Sequence, residues 1–328
     1  MPNSALVSIV LLNWNGNRYI FDCIQSIQNQ EYRFLEIIVV DNGSTDGSIE
    51  AIRREHPDFK YIINSTNLGY AKGMNLGIQK AQGEYVIPLN FDVYLESSFI
   101  SRCVDRMEGQ DTLGAIGGRV FAWTESGRTN ALRKGEGELT YLRKRIQGMS
   151  IESNCDEAYV FAANGSFPFI RKAALEDIKG IVGYYYDERF VTGWEDTDLW
   201  FRLHHRGWQV LFFAAAYGWH VGSGSVGGKA KLIEKSQDYQ KRIFRNREYV
   251  IKKNIGGSLL RYLFPYLVLA ELALVPYYLL KSPRSLSSLF GAWREVHINR
   301  KIIAEDRDRI LSNSVLSFAE ARSYFKKF

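Results

Sequence analysis

The first two thirds of the chain alternates short apolar runs with segments in which apolar residues recur every three or four positions. The apolar runs predict strands, and the periodic segments predict helices. The predicted strands are Val7–Leu12, Leu35–Val40, Tyr61–Ile63, Glu84–Leu89, Ala115–Phe121, Tyr159–Ala163, Phe167–Ile170 and Gln209–Ala214. The predicted helices are Ser48–Glu55, Ala71–Ala81, Ser97–Met107 and Glu195–His205, with a further one where Ile20, Ile24 and Ile27 recur. Alternation of this kind is typical of an α/β fold with a mostly parallel sheet flanked by helices.

Two stretches interrupt the alternation. Residues 124–156 are polar and rich in glycine, which predicts a long surface excursion containing a helix at Leu139–Ile146. Residues 218–225 read GWHVGSGS and predict a loop after the last strand.

The pattern changes again after residue 228, where a basic helix is predicted at Lys231–Lys253. The next apolar run, Leu263–Leu280, contains Glu271 and two prolines. As a helix it would reach about 27 Å, slightly short of a ~30 Å hydrocarbon core, and the charge and prolines further disfavour a membrane-spanning segment.

We therefore predict a catalytic α/β domain at 1–228 and a basic, partly apolar helical region at 229–328. The helical region has 20 Lys and Arg against 9 Asp and Glu, whereas the rest of the chain has an acidic excess. One hypothesis is a peripheral anchor on anionic lipid. The other is a helical pair packed on the catalytic domain or on a second subunit, as in a homodimer. Nucleic acid is disfavoured as a partner because the aromatic residues are not interleaved with the basic ones.

Composition places the chain among globular proteins, with 46% hydrophobic and 24% charged residues. The N-terminus lacks the pattern of a secretory signal. The three cysteines have no metal-binding or disulfide spacing, so we expect reduced thiols and a cytoplasmic protein.

Carboxylates follow two of the predicted strands. Asp41 ends one strand and Asp92 follows another, at the place where parallel sheets bind ligands. A turn or helix cap would explain Asp46, but not a carboxylate at the strand end itself. Asp92 suits a divalent cation that bridges phosphates.

A third acidic group opens a predicted helix in the sequence Glu195-Asp196-Thr197-Asp198. Acidic residues stabilise a first helical turn, and Asp198 and Arg202 have the spacing of a structural ion pair. Glu195 and Asp196 remain as candidates for a general base.

His220 lies among glycines that allow close approach to a ligand, and its imidazole could complete a metal site begun by Asp92. The glycines of residues 222–227 fit the letters of a dinucleotide-binding motif. A βαβ unit should surround such a motif, and here a basic helix and an apolar run follow instead, so we exclude that site.

Taken together, these motifs resemble glycosyltransferase family 2, the inverting enzymes of GT-A fold, and within it a rhamnosyltransferase-like branch that builds surface polysaccharides. The resemblance covers roughly residues 5–255 in the family's order and spacing. The matching segments are VSIVLLNWNG at 7–16, VDNGSTDGS at 40–48, NLGYAKGMNLG at 67–77, LNFDV at 89–93, WEDTDL at 194–199 with Arg202, and His220 with Ser225.

The resemblance implies a role for each matching residue. The nucleotide-sugar site would comprise Asn13, Trp14, Asn15, Asp41, Lys72, Asn90 and Asp92. Within it, Asp41 would hold the nucleobase edge and Trp14 would stack on the base. Asp92 and His220 would bind Mn²⁺ or Mg²⁺ on the diphosphate, and Asp196 would be the catalytic base. Glu195, Trp194 and the excursion at 124–156 would face the acceptor.

One position departs from the family pattern, because Asn90 replaces the first acid of the DXD metal motif. This branch often carries that substitution, although it leaves one fewer carboxylate for the metal.

The implied reaction moves a sugar from a dTDP- or UDP-linked donor, with dTDP-rhamnose as one candidate, to a hydroxyl of a glycan or lipid-linked saccharide. The implied location is the cytoplasmic face of the membrane. A sugar nucleotidyltransferase is a rival, although residues 13–18 make a poor phosphate loop. A catalytically silent homologue that assists assembly at the membrane is the other alternative.

Overall fold

The computed structural model describes residues 5–133, 141–143, 149–150, 155–222 and 232–326. The strands are β1 (Val7–Asn13), β2 (Leu35–Asp41), β3 (Lys60–Ile63), β4 (Tyr85–Asn90), β5 (Val93–Leu95), β6 (Leu113–Thr124), β7 (Gly127–Leu132), β8 (Tyr141–Arg143), β9 (Met149–Ser150), β10 (Glu157–Val160), β11 (Phe169–Arg171), β12 (Gln209–His220) and β13 (Phe325–Lys326). The α-helices are α1 (Ile20–Gln28), α2 (Ser48–Glu55), α3 (Tyr70–Lys80), α4 (Phe99–Met107), α5 (Lys172–Val182), α6 (Glu195–His205), α7 (Gln237–Asn254), α8 (Gly257–Lys281), α9 (Ser285–Ile298), α10 (Arg300–Ser312) and α11 (Phe318–Ser323).

A ten-stranded mixed sheet forms the centre of the fold, and its main path runs β10-β12-β6-β11-β4-β1-β2-β3. Strands β1 to β4 are joined in parallel in the order β4-β1-β2-β3. All seven residues of β1 are buried, as expected for a central strand with helices on both faces. The expected α/β architecture with a C-terminal helical region is therefore confirmed. Short β11 lies antiparallel between β4 and β6, so the second half of the sheet is mixed.

Several predicted boundaries were wrong. Strand β12 continues through Gly218 to His220 instead of entering a loop, because Trp219 and its neighbours pair with both β5 and β6. Residues 161–163 are not a strand, since β10 ends at Val160. Inside the predicted helix Leu139–Ile146, residues 141–143 form a strand and the others lie outside the described residues.

The C-terminal helices share a hydrophobic core with the sheet domain. Val250 of α7, Leu263 of α8 and Ile303 of α10 are buried in the same cluster as Trp200 of α6. The predicted division at residue 228 remains a prediction, but the helices beyond it pack on the sheet domain.

Helix α8 has one buried and one exposed stripe. Its buried residues are Leu259, Leu263, Leu267, Ala270 and Tyr278, spaced three, four or eight apart along one face. Glu271, the charge inside the apolar run, forms an ion pair with Arg247 of α7. The helix is long and apolar enough to cross a membrane by length and composition, and 17% of its most apolar window is buried.

Candidate active site

Three predicted site residues lie side by side at the carboxyl edge of the parallel strands. Asn13 ends β1 opposite Asp41 at the end of β2, and Asn90 ends β4 opposite Leu12. Asp92 follows directly, and His220 reaches the same edge because it pairs with Val93 of β5. The strand topology thus brings together residues as far apart in sequence as Asn13 and His220.

The carboxylate of Asp41 organises its own loop. Its Oδ2 accepts hydrogen bonds from the backbone amides of Gly43 (3.0 Å) and Ser44 (2.9 Å). Its Oδ1 accepts from the Ser44 hydroxyl (2.6 Å) and from Asn13 Nδ2 (2.9 Å). A carboxylate offers about four acceptor positions, so all are used within the protein. A nucleobase N–H could bind Asp41 only by displacing one of these donors, and the Ser44 hydroxyl can rotate away.

The other predicted nucleotide-site residues surround this loop. Asn15 donates its backbone amide to Ser44 Oγ (2.9 Å) and accepts from the Thr45 amide (2.8 Å), and it adopts a left-handed backbone with φ of 50°. The indole of Trp14 is 36% exposed, which leaves a ring face available for stacking. Lys72 lies exposed in the first turn of α3.

Asp92 and His220 face each other, with His220 Nε2 3.2 Å from Asp92 Oδ1, and both side chains are buried. One carboxylate oxygen and one imidazole nitrogen suit a divalent ion whose remaining ligands come from a diphosphate and water. Among the described residues, no group of three or more His, Cys, Asp or Glu side chains is arranged to hold a metal. The donor set therefore fits an ion that binds together with its nucleotide.

A residue that sequence reasoning missed fixes the end of β12. The guanidinium of Arg133 donates to the carbonyl of His220 (3.3 Å) and to that of Val221. Arg133 directly follows β7, inside the stretch predicted as a surface excursion. Its position depends on the pairing of β7 with β6, which no local motif indicates.

The candidate acidic pair, Glu195 and Asp196, begins α6 directly after a segment with a strained backbone. Val191 and Trp194 both have positive φ, 63° and 72°, which is rare for residues other than glycine. Glu195 is buried, and its Oε2 has no hydrogen-bond partner within the described residues. Burial, followed by the charge of Asp196, raises the pKa of Glu195 to about 8. At neutral pH Glu195 is thus protonated and uncharged, and it lies beside the carboxyl of Asp196, which is less buried.

The turn at Gly165 and Ser166 joins this acidic pair to the nucleotide edge. The backbone carbonyl of Ser166 accepts a hydrogen bond from the backbone amide of Asn90 (3.0 Å). A Cβ atom on Gly165 would lie 2.8 Å from Asp196 Oδ2, so the turn packs directly against that carboxylate. Asp196 therefore lies at the same sheet edge as Asn90.

Helix α7 holds the loop before α6 from the other side. The Asn246 amide is fully buried and donates to the carbonyls of Phe190 (2.8 Å), Thr192 (3.1 Å) and Gly193 (2.7 Å). Sequence reasoning missed Asn246, because it lies within a charged segment that reads as a basic helix surface. Its burial depends on how α7 packs.

A buried ionic cluster completes the attachment of α7. Lys253, fully buried, donates to Asp187 Oδ2 (2.7 Å) and to Asp198 Oδ1 (2.9 Å). Arg202 binds the other oxygen of Asp198 at 2.8 Å, as the spacing of the two residues predicts. Burial disfavours the charge of Lys253, yet the two carboxylates raise its pKa overall. The loop before α6 is thereby held against α6 and α7.

The sequence model described as glycosyl transferase family 2 matches residues 8–179, just over half of the chain. Together with the α/β fold and the polar edge of its sheet, this match shows that the chain belongs to glycosyltransferase family 2.

Two relatives are informative. An uncharacterized glycosyltransferase of Haemophilus influenzae is 36% identical over 120 residues, which are 36% of this chain and 37% of that protein. The poly-beta-1,6-N-acetyl-D-glucosamine synthase of Staphylococcus epidermidis is 25% identical over 225 residues, 68% of this chain and 51% of the synthase. The matched region thus spans about half the length of the synthase and a smaller share, 37%, of the Haemophilus influenzae protein.

Solved structures share the fold. GalNAc-T7 with UDP, GalNAc and Mn²⁺ superposes with a TM-score of 0.60 at 15% identity, over 76% of this chain and 48% of that one. TarS 1-349 of S. aureus in complex with UDP gives a TM-score of 0.58 at 14% identity, over 97% of this chain and 91% of that one. The likeness to TarS therefore extends over the C-terminal helices.

Proposed function

We propose that the protein is an inverting glycosyltransferase that moves a sugar from a nucleoside-diphosphate donor to an acceptor hydroxyl in surface polysaccharide synthesis. The observation that carries this proposal is the turn at Gly165 and Ser166, which joins the nucleotide edge to the acidic pair of α6. Donor and base would then meet across one cleft. The synthase relative makes a polysaccharide, and two structural neighbours bind UDP, which supports a nucleotide-sugar donor.

Asp196 would act as general base. Its carboxylate would take the proton of the acceptor hydroxyl as that oxygen attacks the anomeric carbon. Glu195 is the poorer candidate, because a group with a pKa of about 8 keeps its proton at neutral pH. A neutral Glu195 could instead hydrogen-bond and orient the acceptor beside Trp194. A single displacement would invert the anomeric centre.

Asp92 and His220 would hold a divalent ion, Mn²⁺ or Mg²⁺, against the donor diphosphate. When bound, such an ion neutralises the charge that develops on the departing nucleoside diphosphate. Mn²⁺ accompanies UDP in the GalNAc-T7 structure, which supports this assignment by fold likeness. Asp41, with Asn13 and Asn15 behind it, would shape the base pocket, Trp14 would stack on the base, and the exposed Lys72 would approach the phosphates.

The buried, unpaired carboxylate oxygen of Glu195 disfavours the catalytically silent alternative. Such a group is costly to bury, and in proteins it commonly marks a functional site. A protein retained only for assembly would have no need for it.

The test is calorimetric binding of UDP, dTDP and GDP, each with and without Mn²⁺. We expect one of the first two to bind tightly and in a metal-dependent way, which would also narrow the donor to a uridine or deoxythymidine sugar such as dTDP-rhamnose. A folded protein that binds none of them would contradict the proposed function.

The exposed stripe of α8 would place the enzyme on the cytoplasmic face of the membrane. Phe264, Leu269, Leu272 and Leu280 are each more than half exposed, and the surrounding region has a basic excess. Flotation with phosphatidylglycerol vesicles at low salt tests this contact. Light scattering of the same sample tests the alternative that a second copy covers the stripe in a homodimer.

A further inference from the structure

The first turn of α3 lies between two supports of the acidic pair. This helix begins at Tyr70, which directly follows Gly69. One support is the turn at Gly165, which packs against the carboxylate of Asp196. The other is the backbone at Val191, which leads into α6. Tyr70 and its chain neighbours contact both supports, although Gly165 lies 95 positions later in the chain.

The phenol of Tyr70 holds the turn beside Asp196. Its hydroxyl donates a hydrogen bond to the backbone carbonyl of Gly165 (3.3 Å). Its ring meets the ring of Tyr186 edge-on, with 5.7 Å between the ring centres, and this contact fixes the direction of the phenol. Burial, followed by the charges of Tyr186, Glu195 and Asp196, raises the pKa of the hydroxyl, which therefore stays a donor at neutral pH.

Val191 forms a strained turn before the acidic pair. Its φ of 63° and ψ of −63° are those of the rare γ-turn with positive φ, and the Thr192 amide donates to the Phe190 carbonyl across it (2.7 Å). A β-branched residue rarely adopts this conformation, so the surrounding contacts must hold it. The Ala71 amide of α3 donates to the Val191 carbonyl (3.2 Å). A Cβ atom on Gly69 would lie 2.6 Å from Val191 Cγ1, so the two residues are in close contact.

One turn further along α3, Asn75 binds the start of the same loop. Its side-chain amide donates to the Tyr186 carbonyl (2.8 Å), and its side-chain oxygen accepts from the Tyr186 amide (2.8 Å). Both backbone groups of Tyr186 are thus bound by one side chain. The loop from Tyr186 to Val191 is therefore held at both ends by α3.

The same turn of α3 also contacts the loop of Asp41 on its other side. Asn42, the residue after Asp41, donates its side-chain amide to the Gly69 carbonyl (3.0 Å). The side-chain oxygen of Asn42 accepts from the amide of Asn64 (3.0 Å), which orients it. The first turn of α3 is therefore a shared support of the predicted nucleotide edge and the acidic pair.

We propose that Tyr70 is a positioning residue of the transfer reaction and holds Asp196 in place through the carbonyl of Gly165. This assignment rests on the proposed function, in which Asp196 takes the acceptor proton. A phenylalanine at residue 70 would fill the same space, and the backbone of α3 would still hold Val191 and Asn42. It would release only the turn at Gly165.

Tyr70→Phe removes this hydroxyl alone. We expect kcat to fall about 3- to 10-fold, the size of one neutral hydrogen bond, with an unchanged KM for the nucleotide sugar. Tyr61→Phe is the matched control, because the Tyr61 phenol also donates to a backbone carbonyl, that of His56 (2.7 Å), but on the edge strand β3. The control should keep the wild-type kcat and lose at least as much thermal stability. A wild-type kcat in Tyr70→Phe would overturn the proposal.

The assay needs no identified acceptor. It follows release of free nucleoside diphosphate from UDP-N-acetylglucosamine, UDP-glucose and dTDP-rhamnose, with water as the attacking hydroxyl. Tyr70→Phe is also measured in the Asp196→Asn background. A positioning residue has nothing left to position there, so we expect a further loss of less than about twofold. A further 3- to 10-fold loss in that background would overturn the proposal, because Tyr70 would then act independently of Asp196.

The carboxyl carbon of Asp196 provides a readout that needs no turnover. It is followed by NMR in protein labelled with carbon-13 at the aspartate carboxyls, and its signal is assigned by its loss in Asp196→Asn. We expect Tyr70→Phe and Gly165→Ala to shift this signal and Tyr61→Phe to leave it in place. A signal that stays unmoved in Tyr70→Phe would overturn the proposal.

The positioning role and the proposed function can fail separately. Wild-type turnover in Asp196→Asn would contradict Asp196 as the base, whatever Tyr70→Phe does. Turnover lost in Asp196→Asn but intact in Tyr70→Phe would overturn only the positioning role. A folded protein that binds neither UDP nor dTDP and turns over no donor would contradict the proposed function, and a shifted Asp196 signal in Tyr70→Phe would still support the link from Tyr70 to Asp196.

Discussion

Gly165 packs against the carboxylate of Asp196 so closely that a Cβ atom at residue 165 would lie 2.8 Å from Asp196 Oδ2. Its φ is not in the left-handed region, so alanine fits the backbone. The contact atom is the far end of a side chain that can rotate. Residue 165 therefore controls where the proposed base points, without itself carrying any chemistry.

Gly165→Ala should displace Asp196 and lower kcat by about 10- to 100-fold, since small misplacements of a catalytic group are costly. The melting temperature and the affinity for UDP or dTDP should remain near wild type. Gly180→Ala, at an exposed position of α5 where a Cβ meets nothing within 4 Å, is the matched control. Unchanged kcat in Gly165→Ala would argue against Asp196 as the base.

The two acidic residues of α6 should respond differently to amide substitution. Asp196→Asn should lower transfer by about 10²- to 10⁴-fold, the usual contribution of a general base, with nucleotide binding retained. Glu195→Gln mimics the protonated form that predominates below pH 8 and should keep much of the activity at pH 7. A reversed order of the two variants would assign the base to Glu195.

The stability of Glu195→Gln should depend on pH in a defined direction. Because the folded pKa of about 8 lies above the unfolded value of about 4.3, the wild type loses stability between these two values as pH rises. Below pH ~4 the variant and wild type should match, and above pH ~8 the variant should be more stable by on the order of 5 kcal/mol. Urea unfolding at pH 4.5, 6.5 and 8.5 measures this, and a difference that does not vary with pH would contradict the buried carboxyl.

Lys253→Met should destabilise the protein by about 3–5 kcal/mol, because it leaves Asp187 and Asp198 buried without their shared cation. Lys252→Met, at the exposed neighbouring residue, should change stability by less than about 0.5 kcal/mol. Denaturant unfolding followed by circular dichroism compares them. Equal stability of the two variants would mean that α7 is held by apolar packing alone.

Asp92→Asn and His220→Gln should each weaken nucleotide binding in the presence of Mn²⁺. In EDTA, wild type and both variants should bind nucleotide equally weakly, because the ion no longer contributes. Calorimetry under both conditions separates loss of the metal from damage to the nucleotide pocket. Equal losses with and without Mn²⁺ would remove Asp92 and His220 from the proposed metal site.

The parallel half of the fold could be predicted because its strands are continuous apolar runs separated by helices with clear periodicity. Asn13, Asp41 and Asn90 could be placed together because each ends such a strand. Asn246 and Arg133 could not be found in this way. Their partners are backbone carbonyls far away in sequence, and no local pattern marks a side chain that binds a distant carbonyl.

The end of β12 was misread for a similar reason. Glycines around His220 predicted a loop, whereas pairing with β5 and β6 imposes an extended strand there. Glycine can adopt many backbone conformations and favours none strongly, so the pairing with neighbouring strands decides which one it adopts.

The attachment of α7 has a consequence for the order in which the chain becomes active during synthesis. The sheet is complete once β12 has been made. Asn246, which binds three carbonyls of the loop before α6, and Lys253, which binds Asp187 and Asp198, come later with α7. Until the ribosome releases α7, Asp187 keeps Arg189 and Asp198 keeps Arg202, but the two carboxylates lack the cation that they share. A nascent chain should therefore fold its parallel strands first and fix its acidic pair only after α7 has emerged from the ribosome.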